Sequence, residues 1–108
     1  GIRPDWWKLE PQADASAWDE IGKVIDANDA LCRGVVLLGL EAPEEELAKG
    51  FAAVAPKRHV KGFAVGRTIF NEAARGWLAG QIDDTAAVTM MAEKFGNLVR
   101  IWDDARRA

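Results

Sequence analysis

Cysteine and histidine are scarce in this chain of 108 residues, which contains one of each, and tyrosine is absent. A single cysteine, Cys32, cannot form an internal disulfide, which favours a reducing, cytoplasmic location. One cysteine and one histidine, His59, cannot build a structural zinc site. The residues also offer no carboxylate pair, metal-ligand cluster or Ser/His/Asp set. We therefore expect neither a metal ion nor an organic cofactor.

Long apolar runs and an excess of positive charge are also lacking. Lysine and arginine number 14 against 17 acidic residues, which gives a net charge of −3. The basic residues are scattered and are not interleaved with aromatics, so we expect no nucleic acid partner. No run is long enough to span a bilayer and no signal pattern opens the chain, so we expect no membrane association. The 49% of hydrophobic residues, five tryptophans among them, suit one small globular segment, residues 1–108.

What the sequence does contain is a short apolar run followed by an amphipathic stretch, three times over. The runs predict strands at Asp5–Glu10, Arg33–Leu40 and Val60–Val65, and the continuous apolar character of the second predicts burial on both faces. The other stretches predict helices at about 14–28, from Pro43 to just before Pro56, at 71–78, and from about 84 onward. The residues expected on the inner helix faces are Trp18, Ile21, Val24, Ile25, Leu47, Phe51, Val54, Val88, Met91, Phe95, Leu98 and Trp102.

This alternation predicts an α/β fold with three parallel strands in a βαβαβα order. A three-stranded parallel sheet would leave two edges exposed. A (β/α)₈ TIM barrel uses roughly 31 residues per unit, so three units occupy about the length seen here. We interpret the chain as the C-terminal three units of such a barrel, with a compact flavodoxin-like fragment as the alternative. If Gly1 is a true start, an independent small domain or a self-assembling half-barrel is expected instead.

Candidate functional residues follow each predicted strand. Lys8 lies in the first strand between apolar neighbours, on the same side as Glu10. Burial favours the neutral, nucleophilic form of an amine, although the pair could equally be a structural ion pair.

The other two strand ends carry glycines. Gly39 and Leu40 lie at the end of the second predicted strand, where glycine would allow a ligand close to the backbone or would simply form the turn. Gly66 would admit a phosphate to backbone N–H groups, and Arg67 can pair with that phosphate or with a carboxylate.

Three segments together resemble a known family. They are Trp-Trp-Lys-Leu-Glu at 6–10, Val-Val-Leu-Leu-Gly-Leu-Glu at 35–41, and Gly-Phe-Ala-Val-Gly-Arg-Thr-Ile-Phe at 62–70. Their order is similar to the last three units of class I, lysine-dependent, tagatose-bisphosphate aldolase-like barrels. It most resembles the aldolase-like domain fused to the sugar kinase, 5-dehydro-2-deoxygluconokinase, in bacterial myo-inositol catabolism proteins. The resemblance covers nearly the whole chain and about three-eighths of the barrel.

The resemblance implies a lyase acting on 2-deoxy-5-keto-gluconate 6-phosphate or a similar keto-sugar acid phosphate. Lys8 would form the Schiff base with Glu10 beside it, while Gly39, Leu40, Gly66 and Arg67 would hold the phosphate. A sugar kinase domain, linked or associated, would follow. The exposed sheet edges, and not the resemblance, predict oligomer formation. The family's general acid/base residues lie on earlier strands, so the isolated segment should be inactive.

One residue departs from the family pattern. The related aldolases have a small residue where this sequence has Glu41, whose carboxylate would repel phosphate unless it turns away or pairs with Arg67. The alternative hypothesis is a non-catalytic phosphate-binding or interaction domain attached to a carbohydrate kinase.

Overall fold

Three short parallel strands form the sheet of the protein in the computed structural model, which describes residues 1–108. The strand order is β1-β2-β3, and the α/β fold with parallel strands is thereby confirmed. The elements in chain order are β1 (Trp6–Leu9), α1 (Ala15–Asn28), β2 (Gly34–Leu37), α2 (Glu44–Val54), β3 (Val60–Phe63), α3 (Arg67–Leu78) and α4 (Asp84–Arg107).

Local sequence signals explain where most helices begin. Asp14 caps α1 as predicted, because its carboxylate accepts a hydrogen bond from the Ser16 amide at 2.8 Å. Pro43 precedes the first turn of α2. Three glutamates lie in that turn, where the positive end of the helix dipole stabilises their negative charges. Asp83 caps α4 in the same way as Asp14 caps α1.

The hydrophobic core lies on one face of the sheet. Because the strands follow each other in one direction, right-handed connections place every helix on the same side. The core residues are Trp18, Ile25, Val35, Leu37, Leu47, Phe51, Val54, Val60, Leu98 and Trp102. The expectation that β2 is covered on both faces is therefore wrong: Val35 and Leu37 are fully buried, whereas Val36 on the opposite face is only half-buried.

The opposite face carries no helix and we call it the bare face. Trp6 and Lys8 of β1 are exposed there. Lys61 also lies on this side, because its side chain and that of Trp6 pack over the backbone of Gly34. Both outer strands, β1 and β3, have no further strand beside them.

Several element boundaries differ from those predicted. Each strand is shorter than expected, and α3 begins at Arg67, four residues before the predicted start at Asn71. Gly66 offers no capping side chain, whereas Asn71 and Glu72 are typical of a helix start. On the helices, the predicted inward orientation of Val24 and Val88 is wrong, since both are more than half exposed. Phe95 is also 52% exposed, but its ring packs edge-on against that of Phe63.

No helix combines the length and apolar character needed to cross a membrane.

Candidate functional site at the carboxyl ends of the strands

A cleft of about 280 Å³ lies where the three strands end, and we call it the strand-end cleft. Parallel strands deliver their carboxyl ends to one edge of the sheet, so loops far apart in sequence meet there. Five of the six predicted site residues line this cleft: Lys8, Gly39, Leu40, Gly66 and Arg67. Its remaining wall is formed by Leu38, Glu41, Ala64, Val65, Thr68 and Phe70.

Lys8 extends from the bare face of β1 and is exposed. The burial expected for it from its sequence neighbours is wrong, since Trp7 and Leu9 point to the other face. Glu10 lies beyond the end of β1, is exposed and does not line the cleft. It forms no ion pair with Lys8, so the structural ion-pair interpretation does not describe this structure.

The loop after β2 has an unusual backbone. Leu40 and Glu41 both adopt positive φ angles, 49° and 59°, which side chains other than glycine seldom accept. Gly39 does not supply the left-handed conformation. Instead it is buried against Val65, and a Cβ atom at position 39 would lie 2.9 Å from a Val65 methyl group. The glycine therefore permits the β2 and β3 loops to approach each other.

The loop after β3 ends in the first turn of α3. Gly66 is the N-cap and supplies no side-chain cap, and its carbonyl accepts the first helical hydrogen bonds, from Ile69 and Phe70. The amides of Arg67 and Thr68 precede those bonds and so lie outside the helical pattern. Such amides, together with the helix dipole, favour an anion.

Arg67 and Glu41 connect the two loops. The Arg67 guanidinium forms an ion pair with Glu41, with an N–O distance of 2.9 Å to Oε1, which is one of the two arrangements considered from the sequence. Thr68 Oγ1 donates to the Ala42 carbonyl at 2.9 Å and fastens the same loops together. Asn71 Nδ2 donates a hydrogen bond to the same oxygen, Glu41 Oε1, at 3.4 Å.

A second cleft of about 670 Å³ lies between α2, α3 and α4, and we call it the helix-side cleft. Glu41, Arg67 and Thr68 line both clefts and therefore form the wall between them. Lys94 and Glu72, which are 2.6 Å apart, lie on its other wall, and the hydrogen bond from Lys94 holds the pKa of Glu72 below its ordinary value. No group of three or more possible ligands could hold a metal ion.

The sequence analysis missed a charged cluster at the opposite end of the strands. His59 Nε2 lies 2.9 Å from Asp26, Arg58 lies 2.8 Å from the same carboxylate, and Lys57 pairs with Asp19 at 2.7 Å. The basic residues before β3 are thus bound to α1 by ion pairs. The only sequence signal was the juxtaposition of three basic residues, which gave no indication of their partners.

The fold and the cleft together define a parallel α/β protein with a polar site at the carboxyl ends of its strands. The chain belongs to the DUF2090 family, described as an uncharacterized protein conserved in bacteria, whose model matches residues 1–106. No curated protein and no solved structure matches the chain.

Proposed function

We propose that the strand-end cleft is part of a class I aldolase-like site for a phosphorylated keto-sugar acid. The observation that carries the proposal is that an exposed amine, Lys8, and the uncapped start of α3 line one cleft. A ketose phosphate carries a carbonyl that could react with the Lys8 amine and a phosphate that could bind at the start of α3. The substrate class and the association with a sugar kinase come from the sequence resemblance.

In the proposed reaction, the Lys8 amine adds to the ketone carbonyl and water leaves, which forms an imine. Cleavage of the carbon–carbon bond releases an aldehyde, and its electron pair is held by the protonated imine as an enamine. Protonation and hydrolysis of the enamine then release the three-carbon ketose phosphate and regenerate the amine. The amides of Arg67 and Thr68 would fix the phosphate during these steps.

General acid/base groups for this reaction would come from outside the segment. Glu41 is the carboxylate that lines the cleft, and it is engaged with Arg67. We propose that further strand–helix units adjoin the unpaired β1 and β3 edges, complete a barrel around the bare face and supply those groups.

The test is borohydride reduction of the intact protein with dihydroxyacetone phosphate, followed by peptide mass mapping. We expect a reduced adduct on Lys8 that is absent from Lys8→Arg. Lys61→Arg is the matched control, because Lys61 is another lysine on the bare face but lies outside the cleft. Absence of a Lys8 adduct, or equal labelling of Lys61, would overturn the aldolase proposal.

A non-catalytic anion-binding domain is the second candidate, and the exposure of Lys8 favours it. A nucleophilic lysine gains from a water-excluded site, which this segment alone does not provide. Under this alternative, Lys8→Ala would still bind inorganic phosphate with nearly unchanged affinity, whereas Gly66→Val would abolish binding. No lysine adduct would then form with any ketose phosphate.

A further inference from the structure

The Glu41–Arg67 ion pair stands at the wall between the two clefts. Both side chains are about half exposed, so the pair is accessible to solutes. Asn71 lines only the helix-side cleft, and its contact with Glu41 at 3.4 Å places the carboxylate toward that side. Arg67 itself lines both clefts, so its ion pair with Glu41 lies within reach of a ligand in the strand-end cleft.

A carboxylate and a phosphate compete for the same guanidinium, because both present oxygen pairs to its planar set of donors. Glu41 already lies against one end of the guanidinium. A phosphate in the strand-end cleft would gain the full set of Arg67 donors only by displacing Glu41, and would also meet the negative charge of that carboxylate.

We propose that Glu41 is a built-in competitor that sets the affinity and selectivity of the strand-end cleft for anions. This inference rests on the proposed function, since it assumes that the cleft binds the phosphate of its ligand. When the ligand is absent, Glu41 holds Arg67. When the ligand binds, Arg67 exchanges the carboxylate for the phosphate, while the hydrogen bond from Thr68 to Ala42 keeps the loop at 39–42 joined to α3.

Titration of inorganic phosphate into the intact protein at low salt tests this proposal by calorimetry. Glu41→Gln removes the charge and keeps the shape of the side chain. We therefore expect phosphate to bind at least about fivefold more tightly, because it no longer has to break an exposed ion pair to reach Arg67. Glu44→Gln is the matched control, because Glu44 lies three residues away, lines only the helix-side cleft and has no ion pair. Its affinity should stay within about twofold of wild type, since only distant charge is removed.

Two further variants make the measurement specific. Glu41→Gly also removes the carboxylate and accepts the positive φ at this position, so it guards against a folding defect in Glu41→Gln. In an Arg67→Gln background, Glu41→Gln should raise the affinity by much less, because the group for which the two anions compete is gone and only the direct repulsion by the carboxylate is relieved.

The outcomes separate this inference from the proposed function. Equal or weaker phosphate binding by both Glu41→Gln and Glu41→Gly would overturn the competitor role while leaving an anion-binding cleft. An equal gain in phosphate affinity in Glu44→Gln would also overturn the competitor role, since the loss of one negative charge from the protein would then explain the gain. Failure of every variant and of the wild type to bind phosphate would overturn both proposals.

Discussion

At the scale of single residues, strain is concentrated beside the proposed anion site. A left-handed conformation costs an ordinary residue about 1–2 kcal/mol, and Leu40 and Glu41 adopt it in succession. The conformation is held by the Gly39 carbonyl, which accepts from the Ala42 amide at 2.9 Å, and by the hydrogen bond from Thr68 to Ala42. Surrounding contacts therefore fix an unfavourable backbone at the residue whose carboxylate meets Arg67.

Gly39→Ala should destabilise the protein by about 1–3 kcal/mol, because the added methyl group would overlap the stiff Val65 side chain. Urea denaturation measures this difference. Gly62→Ala is the matched control, since nothing lies within 4 Å of a Cβ atom at position 62, and it should change stability by less than about 0.5 kcal/mol. The Gly39→Ala penalty should shrink in a Val65→Ala background. An unchanged penalty there would show that Val65 is not the cause.

At the scale of elements, the sequence predicted the order of strands and helices because hydrophobic periodicity is a local property. The start of α3 was not predictable because Gly66 provides no capping side chain and two β-branched residues, Thr68 and Ile69, lie in the first turn. Grouping of Lys8 with Gly39 and Gly66 was predictable, since parallel strands end at one edge. The exposure of Lys8 was not predictable from the sequence, because it depends on what covers the bare face.

The charged cluster between α1 and the loop before β3 should make stability depend on pH. The hydrogen bond from His59, followed by the charges of His59 and Arg58, holds the pKa of Asp26 below its ordinary value of 3.8. A depressed carboxyl pKa stabilises the folded state above that ordinary value, and the stabilisation is lost as the pH falls through the lowered pKa. The wild type should therefore lose stability more steeply than Asp26→Asn between about pH 5 and pH 2.

Thermal unfolding followed by circular dichroism across this pH range measures the difference. Asp103→Asn serves as the control, because Asp103 is exposed on α4 and has no ion pair. Its stability should follow that of the wild type at every pH. If Asp26→Asn also showed the wild-type slope, the cluster would contribute nothing to acid sensitivity.

At the scale of the whole molecule, the protein is thin and only part of its sheet is covered. Its radius of gyration is 16.1 Å, whereas a compact domain of this length has about 13 Å. The shortest dimension is 18 Å, which corresponds to one layer of helices on one sheet. The outer edges of the sheet are unequal. At β3, the outward groups of Val60 are satisfied by the Lys57 carbonyl and the Arg106 guanidinium.

The β1 edge has no such protection. The carbonyls of Asp5 and Leu9 accept hydrogen bonds from the amides of Arg33 and Leu38, which flank β2, so the alternate residues, Trp6 and Lys8, direct their backbone groups outward. Unpaired strand edges promote association with another chain. We therefore expect residues 1–108, expressed alone, to self-associate through β1.

Trp6→Pro should weaken this association, because proline removes an outward N–H at the first residue of an edge strand without breaking a bond to β2. Sedimentation velocity over a range of concentrations measures the effect. Leu31→Ser is the control, since Leu31 is 85% exposed but lies outside the sheet, and it should leave association unchanged. A concentration-independent monomer for the wild type, or equal effects of the two variants, would contradict pairing at β1. Since Trp6 lies outside the strand-end cleft, Trp6→Pro should leave phosphate binding intact, which separates the edge from the site.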